Sequence, residues 1–364
     1  MAGIYVHVPF CHAKCAYCDF YSVARPEMAE AYEDAVIREF RVRRGELGDG
    51  AVRTLYFGGG TPSILEADLF SRLAGELRRA EVEEFTIEVN PEDVVPAKVD
   101  AWLRAGVNRV SMGIQSLKDT ELRAINRRHS AARALEAVEL LKEKGIANIS
   151  LDLIYGLPEQ TADSFRRSLE GCISAGATHI SAYILSYEPG SLLTRRLERG
   201  DIAQAREELI EEIYGILCTE TATAGFRHYE ISNFARPGFE SRHNSSYWDL
   251  TPYLGLGPAA HSLGADGIRR FHLPDIRAYL AAPERVVAEQ ESEEERLDDL
   301  IMISLRRAAG LDLEMIPSAR LDTLLKAAAP FLESGELIRD GRFLRVPERH
   351  WLTTDAIVRD LMFV

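Results

Sequence analysis

Ile4-Tyr5-Val6-His7-Val8-Pro9-Phe10-Cys11-His12-Ala13-Lys14-Cys15-Ala16-Tyr17-Cys18-Asp19-Phe20 runs from a strand-like segment straight into three cysteines within eight positions. Soft thiolates select iron–sulfur clusters, zinc or copper(I). Gaps of three and two residues let one loop aim three sulfurs at a single inorganic centre, leaving one metal corner open. Structural zinc asks for four ligands, and His7 or His12 beside the same loop is awkwardly placed to be the fourth, so the spacing favours a cluster over zinc. An odd group of three is a poor start for a disulfide framework, and a chain of 364 residues has no need of disulfide staples. The reducing cytoplasm is the compartment this pattern predicts. Cys172 and Cys218 lie on apolar, helix-like stretches and read as small buried hydrophobes.

Outward from that loop, short β-branched runs at 3–9, 53–58, 84–90, 108–115, 148–155 and 178–187 alternate with helical patterns near 26–45, 64–80, 96–105, 131–145, 161–176 and 201–224. That alternation predicts βα units around a parallel sheet, an α/β fold. Six units are too few for a closed eight-stranded barrel, so the expected architecture is an open, partial (β/α)6 barrel. In parallel βα folds functional groups gather at the carboxyl ends of the strands. The polar anomalies of this chain fall there. The first strand ends in the cysteine loop and the second in Gly58-Gly59-Gly60-Thr61-Pro62, where missing side chains let a ligand approach backbone amides. Glu88 sits inside Phe85-Thr-Ile-Glu-Val-Asn90, Gln115 closes Val110-Ser-Met-Gly-Ile-Gln115, and Asp152 interrupts Ile149-Ser-Leu-Asp-Leu-Ile154. Taken singly, the glycines make a turn and the carboxylates are buried groups satisfied by backbone amides. Their recurrence at strand ends, in register with the cysteine loop, marks a site.

The cysteine spacing followed by Phe20 resembles the radical S-adenosylmethionine superfamily. Tyr5-Val-His-Val-Pro-Phe-Cys11, the cysteine loop, Tyr56-Phe-Gly-Gly-Gly-Thr-Pro62 and Asp152-Leu-Ile-Tyr-Gly-Leu-Pro158 together resemble the oxygen-independent coproporphyrinogen III oxidase family, and within it the HemW heme-chaperone branch. The resemblance implies a 4Fe–4S cluster on Cys11, Cys15 and Cys18, whose free iron S-adenosylmethionine chelates. Reduction of the cluster then cleaves the sulfonium to methionine and a 5′-deoxyadenosyl radical. It further implies that Gly59, Gly60 and Thr61 meet the methionine amino end and that Glu88 reaches a cofactor hydroxyl or amine. By the same resemblance Tyr5 and Tyr17 flank the cluster and its ligand, while Gln115, Arg127 and Asp152 contact S-adenosylmethionine. In the oxidase, some of these positions serve a second S-adenosylmethionine. Two departures speak against coproporphyrinogen oxidation. Phe20 stands where the oxidase has a fourth cysteine, and only ten residues precede Cys11.

A second segment, Arg242-His-Asn-Ser-Ser-Tyr-Trp248, matches the stretch associated with heme in the HemW-like branch. His243 is the candidate iron ligand, and Tyr247 and Trp248 are candidate porphyrin-packing faces. The same residues occur in the oxidase relatives, so a porphyrin-facing wall or a buried polar turn is the competing explanation. The acidic run Glu289–Glu295 opens an amphipathic helix through Leu300–Leu305. Beyond it come a helix near 321–333, a hairpin across Glu336–Arg345 turning at Asp340-Gly341, and a last helix at 351–362. This smaller C-terminal α+β unit is winged-helix-like. Its candidate recognition helix carries few basic residues, so it is expected to lid the barrel or meet a partner and not to bind nucleic acid. The expected division is a core at 1–225, a barrel extension at 226–290 and a C-terminal unit at 291–364.

With 43 basic against 57 acidic residues the net charge is −14, which disfavours a generic polyphosphate partner, although Arg127, Arg128 and His129 form a local basic patch for one anionic ligand. No stretch of eighteen apolar residues suggests a membrane span, and no basic and apolar leader precedes the first strand. Three functions fit. In the first, a heme chaperone uses cluster and S-adenosylmethionine in passing heme to an acceptor protein, with a reductant such as a flavodoxin. The second is a radical enzyme on a porphyrinogen propionate. The third is a radical enzyme on an unrelated substrate. Phe20 and the short N-terminus favour the first over the second, and His243 to Trp248 favour either over the third.

Overall fold

The computed structural model describes residues 1–363. Six parallel strands, β1 (Ala2–Val8), β2 (Val52–Gly59), β3 (Glu84–Val89), β4 (Arg109–Gln115), β5 (Asn148–Tyr155) and β6 (His179–Ile184), lie side by side in chain order. Between them run α1 (Ala29–Arg43), α2 (Ala67–Leu77), α3 (Pro96–Ala105), α4 (Asp119–Ala124), α5 (Ala131–Glu143) and α6 (Ala162–Ala175). All six strands and the longer helices between them, α1, α2, α3, α5 and α6, fall within a few residues of the sequence expectation. The short α4 and α7 (Leu192–Glu198) were not anticipated, because a helix of six or seven residues gives too few turns for a periodic pattern to register. After α8 (Glu207–Thr223), the hairpin of β7 (Arg227–Glu230) and β8 (Asn233–Ala235) extends the sheet antiparallel beyond β6.

The chain then crosses the barrel. The helix α9 (Arg242–Trp248) leads into β9 (Tyr253–Leu256), which pairs parallel to β1 on its free side. The strands β10 (His261–Leu263) and β11 (Arg269–Phe271), the helix α10 (Ile276–Ala281) and the strand β12 (Val287–Glu289) complete a twelve-stranded sheet. Its two outermost strands are β12 and β7. A C-terminal region follows: α11 (Glu293–Leu305), β13 (Leu311–Asp312), α12 (Ser318–Ser334), β14 (Ile338–Asp340), β15 (Phe343–Arg345) and α13 (Thr354–Leu361). The acidic run starts α11 through a capping box between Ser292 and Glu295, and Gly341 at positive φ turns the β14–β15 hairpin.

Parallel strands covered on both faces usually read as apolar throughout. Here the two faces differ. Ile4, Val6, Val8, Leu55, Phe57, Phe85, Ile87, Val110, Met112, Ile149 and Leu151 pack outward into one core with the helices. Tyr5, His7, Thr54, Tyr56, Thr86, Glu88, Arg109, Ser111, Ser150, Asp152, His179 and Ser181 alternate with them and face a polar lumen.

Buried charge also fastens β9 and its neighbours to α1. Fully buried Glu39 accepts from Arg43 Nη1 at 2.5 Å, the Gly257 amide at 3.0 Å and the Tyr279 hydroxyl at 2.7 Å, and lies 2.6 Å from His272 Nε2. With four partners, the cost of taking this carboxylate out of water is largely offset. Cys172 is buried as expected. Cys218 is only half-buried, and its thiol faces His228 and Glu348, so the purely apolar environment read from its helix is corrected by a partner far along the chain.

Gly60 illustrates how tightly the strand ends meet. Its amide donates to the Val8 carbonyl at 2.8 Å, and a Cβ there would lie 2.8 Å from the carbonyl oxygens of both Val8 and Phe10. Backbone does not yield as a flexible side chain does. Gly60→Ala is expected to cost about 1–3 kcal/mol of stability, in the range of overpacking, and to impair metal loading at the adjacent cysteine loop. Denaturant unfolding and iron content after anaerobic reconstitution check both.

Candidate functional site

A cavity of about 510 Å³ opens at the carboxyl ends of the strands, and its lining runs from Cys11 to Glu188. Cys11, Cys15, Tyr17, Cys18, Gly59, Gly60, Thr61, Glu88, Gln115, Arg127 and Asp152 all line it, so eleven of the residues singled out in the sequence meet at one place. Among the described residues the wall contains nothing from the C-terminal region, which packs instead against α8 and the β7 edge. There Tyr214 donates to the Glu348 carbonyl at 3.0 Å. The expectation that this region lids the barrel is therefore corrected.

The cysteine loop is pinned from several sides. Val23 donates to the Pro9 carbonyl at 2.7 Å, Cys11 to the Val23 carbonyl at 3.2 Å, and Ala16 to the Ile125 carbonyl at 3.1 Å. Side chains then link two of the thiols. Cys11 Sγ lies 3.3 Å from Thr61 Oγ1, which accepts from Asn90 Nδ2 at 3.2 Å. Asn90 Oδ1 accepts from Arg127 Nη2 at 2.8 Å, and Arg127 Nη1 donates to Cys15 Sγ at 3.4 Å. Asn90 ends a stretch already quoted, yet only the geometry reveals it as the middle of this chain. Burial pushes the Cys11 thiol up and the Cys18 thiol up to about 11, so a metal centre must displace protons to form the thiolates.

The backbone is shaped for the cavity. Between Gly113 and Gln115 the β4–β5 register slips, and Gln115 adopts φ 64°, a left-handed conformation uncommon outside glycine. The bulge turns Gln115 into the cavity. Gly59, at φ 101°, donates its amide to Glu88 Oε2 at 3.1 Å, and Tyr56 donates to Glu88 Oε1 at 2.8 Å. Burial raises Glu88 to about 7 against these two hydrogen bonds, with Asp152 adding to the rise. Burial raises Asp152 too, opposed by the hydroxyls of Ser181, Ser111 and Ser150 and by the charge of Arg109.

Arg109 is 1 % exposed, and its Nε and Nη1 have no hydrogen-bond partner among the described residues. Its positive charge lowers both Glu88 and Asp152 from within the lumen. Sequence reasoning passed over Arg109, Ser111, Ser150, His179 and Ser181. The available signal was polar residues at every second position of strands that ought to be apolar on both faces.

Tyr5 and the His243 segment lie elsewhere than expected. The Tyr5 hydroxyl is 3.1 Å from His7 Nδ1, its ring stands below Gly58, and it does not line the cavity. His243 sits on the barrel floor. Its amide and that of Arg242 donate to the Glu84 carboxylate, each at 2.9 Å. Its Nδ1 lies 2.8 Å from Thr54 Oγ1, its Nε2 2.8 Å from the Tyr247 hydroxyl, and its ring stacks 5.0 Å from that of Tyr56. Burial and the charge of Arg109 lower it to about 3, which keeps the imidazole neutral. Both ring nitrogens are engaged under the strands, so His243 is not presented to a porphyrin as an open axial ligand. Tyr247 and the half-buried Trp248 share that floor, where Arg307 donates to the Trp248 carbonyl at 3.1 Å.

Comparison with known proteins places this geometry. The radical SAM superfamily model matches residues 5–171. The heme chaperone HemW of Mycobacterium tuberculosis is 34% identical over 99% of this chain and 94% of its own, and the heme chaperone HemW of Lactococcus lactis is 36% identical over 85% and 83%. The coproporphyrinogen III oxidase HemN of Escherichia coli superposes with a TM-score of 0.85 at 23% identity, over 100% of this chain and 90% of that one, a likeness of fold.

Two outcomes follow from the geometry. A carboxyl raised in the native state binds its proton more tightly there than in the unfolded chain, so its contribution falls as pH rises from the unfolded value through about 7. Glu88→Gln should therefore lose less stability than wild type between about pH 5 and pH 8, with a gap of about 3 kcal/mol at the alkaline end. Urea melts across that range test it. His243→Ala should cost about 2–4 kcal/mol through a cavity and two unpartnered hydroxyls, while heme affinity, read from the Soret band, stays unchanged.

Proposed function

The chain belongs to the HemW family of the radical S-adenosylmethionine superfamily, and on that basis we propose that it is a heme chaperone. It holds a 4Fe–4S cluster and S-adenosylmethionine at the barrel cavity, binds heme and passes it to an acceptor protein. The observation that carries the reading is the convergence of Cys11, Cys15 and Cys18 with Gln115, Arg127 and Asp152 on one cavity, in a chain similar to HemW proteins along nearly its whole length.

The residues present fit both groups. Three thiols on one loop suit a cluster with one iron open to a further ligand, and the side-chain-free backbone at Gly59 and Gly60 leaves room beside it. When bound, the reduced cluster supplies an electron to the sulfonium of S-adenosylmethionine. The protein's part is to orient and to set charge. Arg127, donating to Cys15, places a cation against the cluster and favours its reduced, more negative state. Gln115 and Asp152 orient the cofactor from the far wall, and Glu88, with a pKa near 7, carries or releases a proton there. Tyr17, between Cys15 and Cys18 in the loop, lines the same cavity.

Heme requires a different surface, since His243 is enclosed. Phe20, Tyr183 and Ile184 line the cavity and are 67%, 45% and 47% exposed, which gives a porphyrin an apolar face at the mouth. Phe20 stands where the oxidase would have its fourth cysteine, which favours binding of a porphyrin over its oxidation. We place the protein in the cytoplasm with an unidentified acceptor and reductant; no helix among the described residues is long and apolar enough to cross a membrane.

Anaerobic reconstitution followed by heme titration tests the reading. One heme per chain without conversion of coproporphyrinogen is expected, and Phe20→Asp with Ile184→Asp should weaken binding where His243→Ala does not. Turnover of coproporphyrinogen would overturn the chaperone reading, and loss of heme on His243→Ala alone would move the heme from the mouth to the floor.

A further inference from the structure

Outside the cavity lining, three chain segments bring a thiol, an imidazole and a carboxylate together. Cys218 is on α8, His228 on β7, and Glu348 opens the turn that follows Pro347. One ligand atom of each lies within 4.8 Å of the other two. His228 Nδ1 is 2.7 Å from Glu348 Oε1, while its Nε2 is 3.4 Å from the Ile231 carbonyl. In the tautomer that directs Nε2–H at that carbonyl, Nδ1 presents its lone pair beside the carboxylate and the sulfur, and the three form a set of electron-pair donors around one point. Without metal, a proton on Nδ1 bridges the imidazole and the carboxylate across 2.7 Å, and a metal ion would take that proton's place among the three donors.

We propose that this cluster is a binding site for a borderline-soft divalent ion, zinc above all. Sulfur, nitrogen and one carboxylate oxygen are the donors zinc accepts in tetrahedral sites, and they exclude calcium and magnesium, which take oxygen alone. Thiolate and carboxylate together neutralise the ion's two charges. The surroundings fit the role. The His228 ring is fixed against Phe234, with centroids 3.8 Å apart, and against Trp351 at 4.1 Å. A carbonyl on the distal imidazole nitrogen is the usual partner of a metal-bound histidine. The His228 side chain is 5% exposed and that of Glu348 52%, so solvent reaches the Glu348 side of the cluster. Residue 348 belongs to the C-terminal region and residues 218 and 228 to the barrel edge, so the ion staples the two together. This inference is independent of the heme reading.

The test uses the full-length chain with Cys11, Cys15 and Cys18 replaced by alanine, so that the loop takes no metal. One zinc per chain after equilibrium dialysis, a zinc-dependent rise in the thermal midpoint, and a thiolate-to-cobalt charge-transfer band on cobalt substitution are expected. Cys218→Ala and Glu348→Gln in that background should each abolish the one-equivalent binding. Glu348 is exposed, so its variant, checked by circular dichroism without metal, separates lost ligation from lost folding. The cluster-loaded wild-type chain should likewise retain one zinc that Glu348→Gln removes. Absence of zinc binding, or binding unchanged in both variants, would overturn the site.

Discussion

Everything at the cavity depends on polar side chains that share a lumen from which water is largely displaced. A carboxylate taken out of water costs several kcal/mol unless cations and hydrogen-bond donors replace its hydration. Glu88 has the Tyr56 hydroxyl and the Gly59 amide, and Asp152 has the hydroxyls of Ser111 and Ser150. Arg109 supplies a positive charge that lowers both. The strand register is held from both sides by this arrangement. A slip of one residue would send the apolar outer face of β3 or β4 into the lumen and these charges into the helices.

The cavity is thus an outgrowth of the lumen. Moving up the strands, the hydrogen-bonded column of His243, Thr54 and Tyr247 gives way to Tyr56 and Glu88, and then to glycine, a bulge and thiols. Near the floor His243, Thr54 and Tyr247 are paired with each other, whereas groups near the mouth leave capacity for a ligand. The chain from Cys11 through Thr61, Asn90 and Arg127 to Cys15 belongs to that upper layer and ties the first, second, third and fourth strand ends to one loop.

The cysteine loop and the six βα units were legible because their signals are local: thiol spacing, β-branched runs, helical periodicity. Depth within the barrel was not legible. Tyr5 and His243 were expected at the cofactor and at heme, yet a motif records order along the chain and not height along a strand, and both lie beneath the site. Nothing in the local sequence marks Glu39 and Arg43, one helical turn apart, as a buried pair. Their true partners, Gly257, His272 and Tyr279, lie more than two hundred residues downstream. Cys218 was read as apolar for the same reason, since Glu348 is remote in sequence.

One consequence concerns the order in which the molecule is made. The cavity wall is complete in sequence by Glu188, but β1, which carries the cysteine loop, receives its second neighbour only when β9 at Tyr253–Leu256 pairs with it. Until then β1 is an open sheet edge, with unpaired backbone groups beside three free thiols, and the contact that closes it spans about two hundred and fifty residues. Emerging from the ribosome, the nascent chain holds its metal-binding loop on its least protected strand for most of its synthesis. Secure burial of that strand, and with it durable retention of an oxygen-sensitive centre, belongs to the late stages of folding.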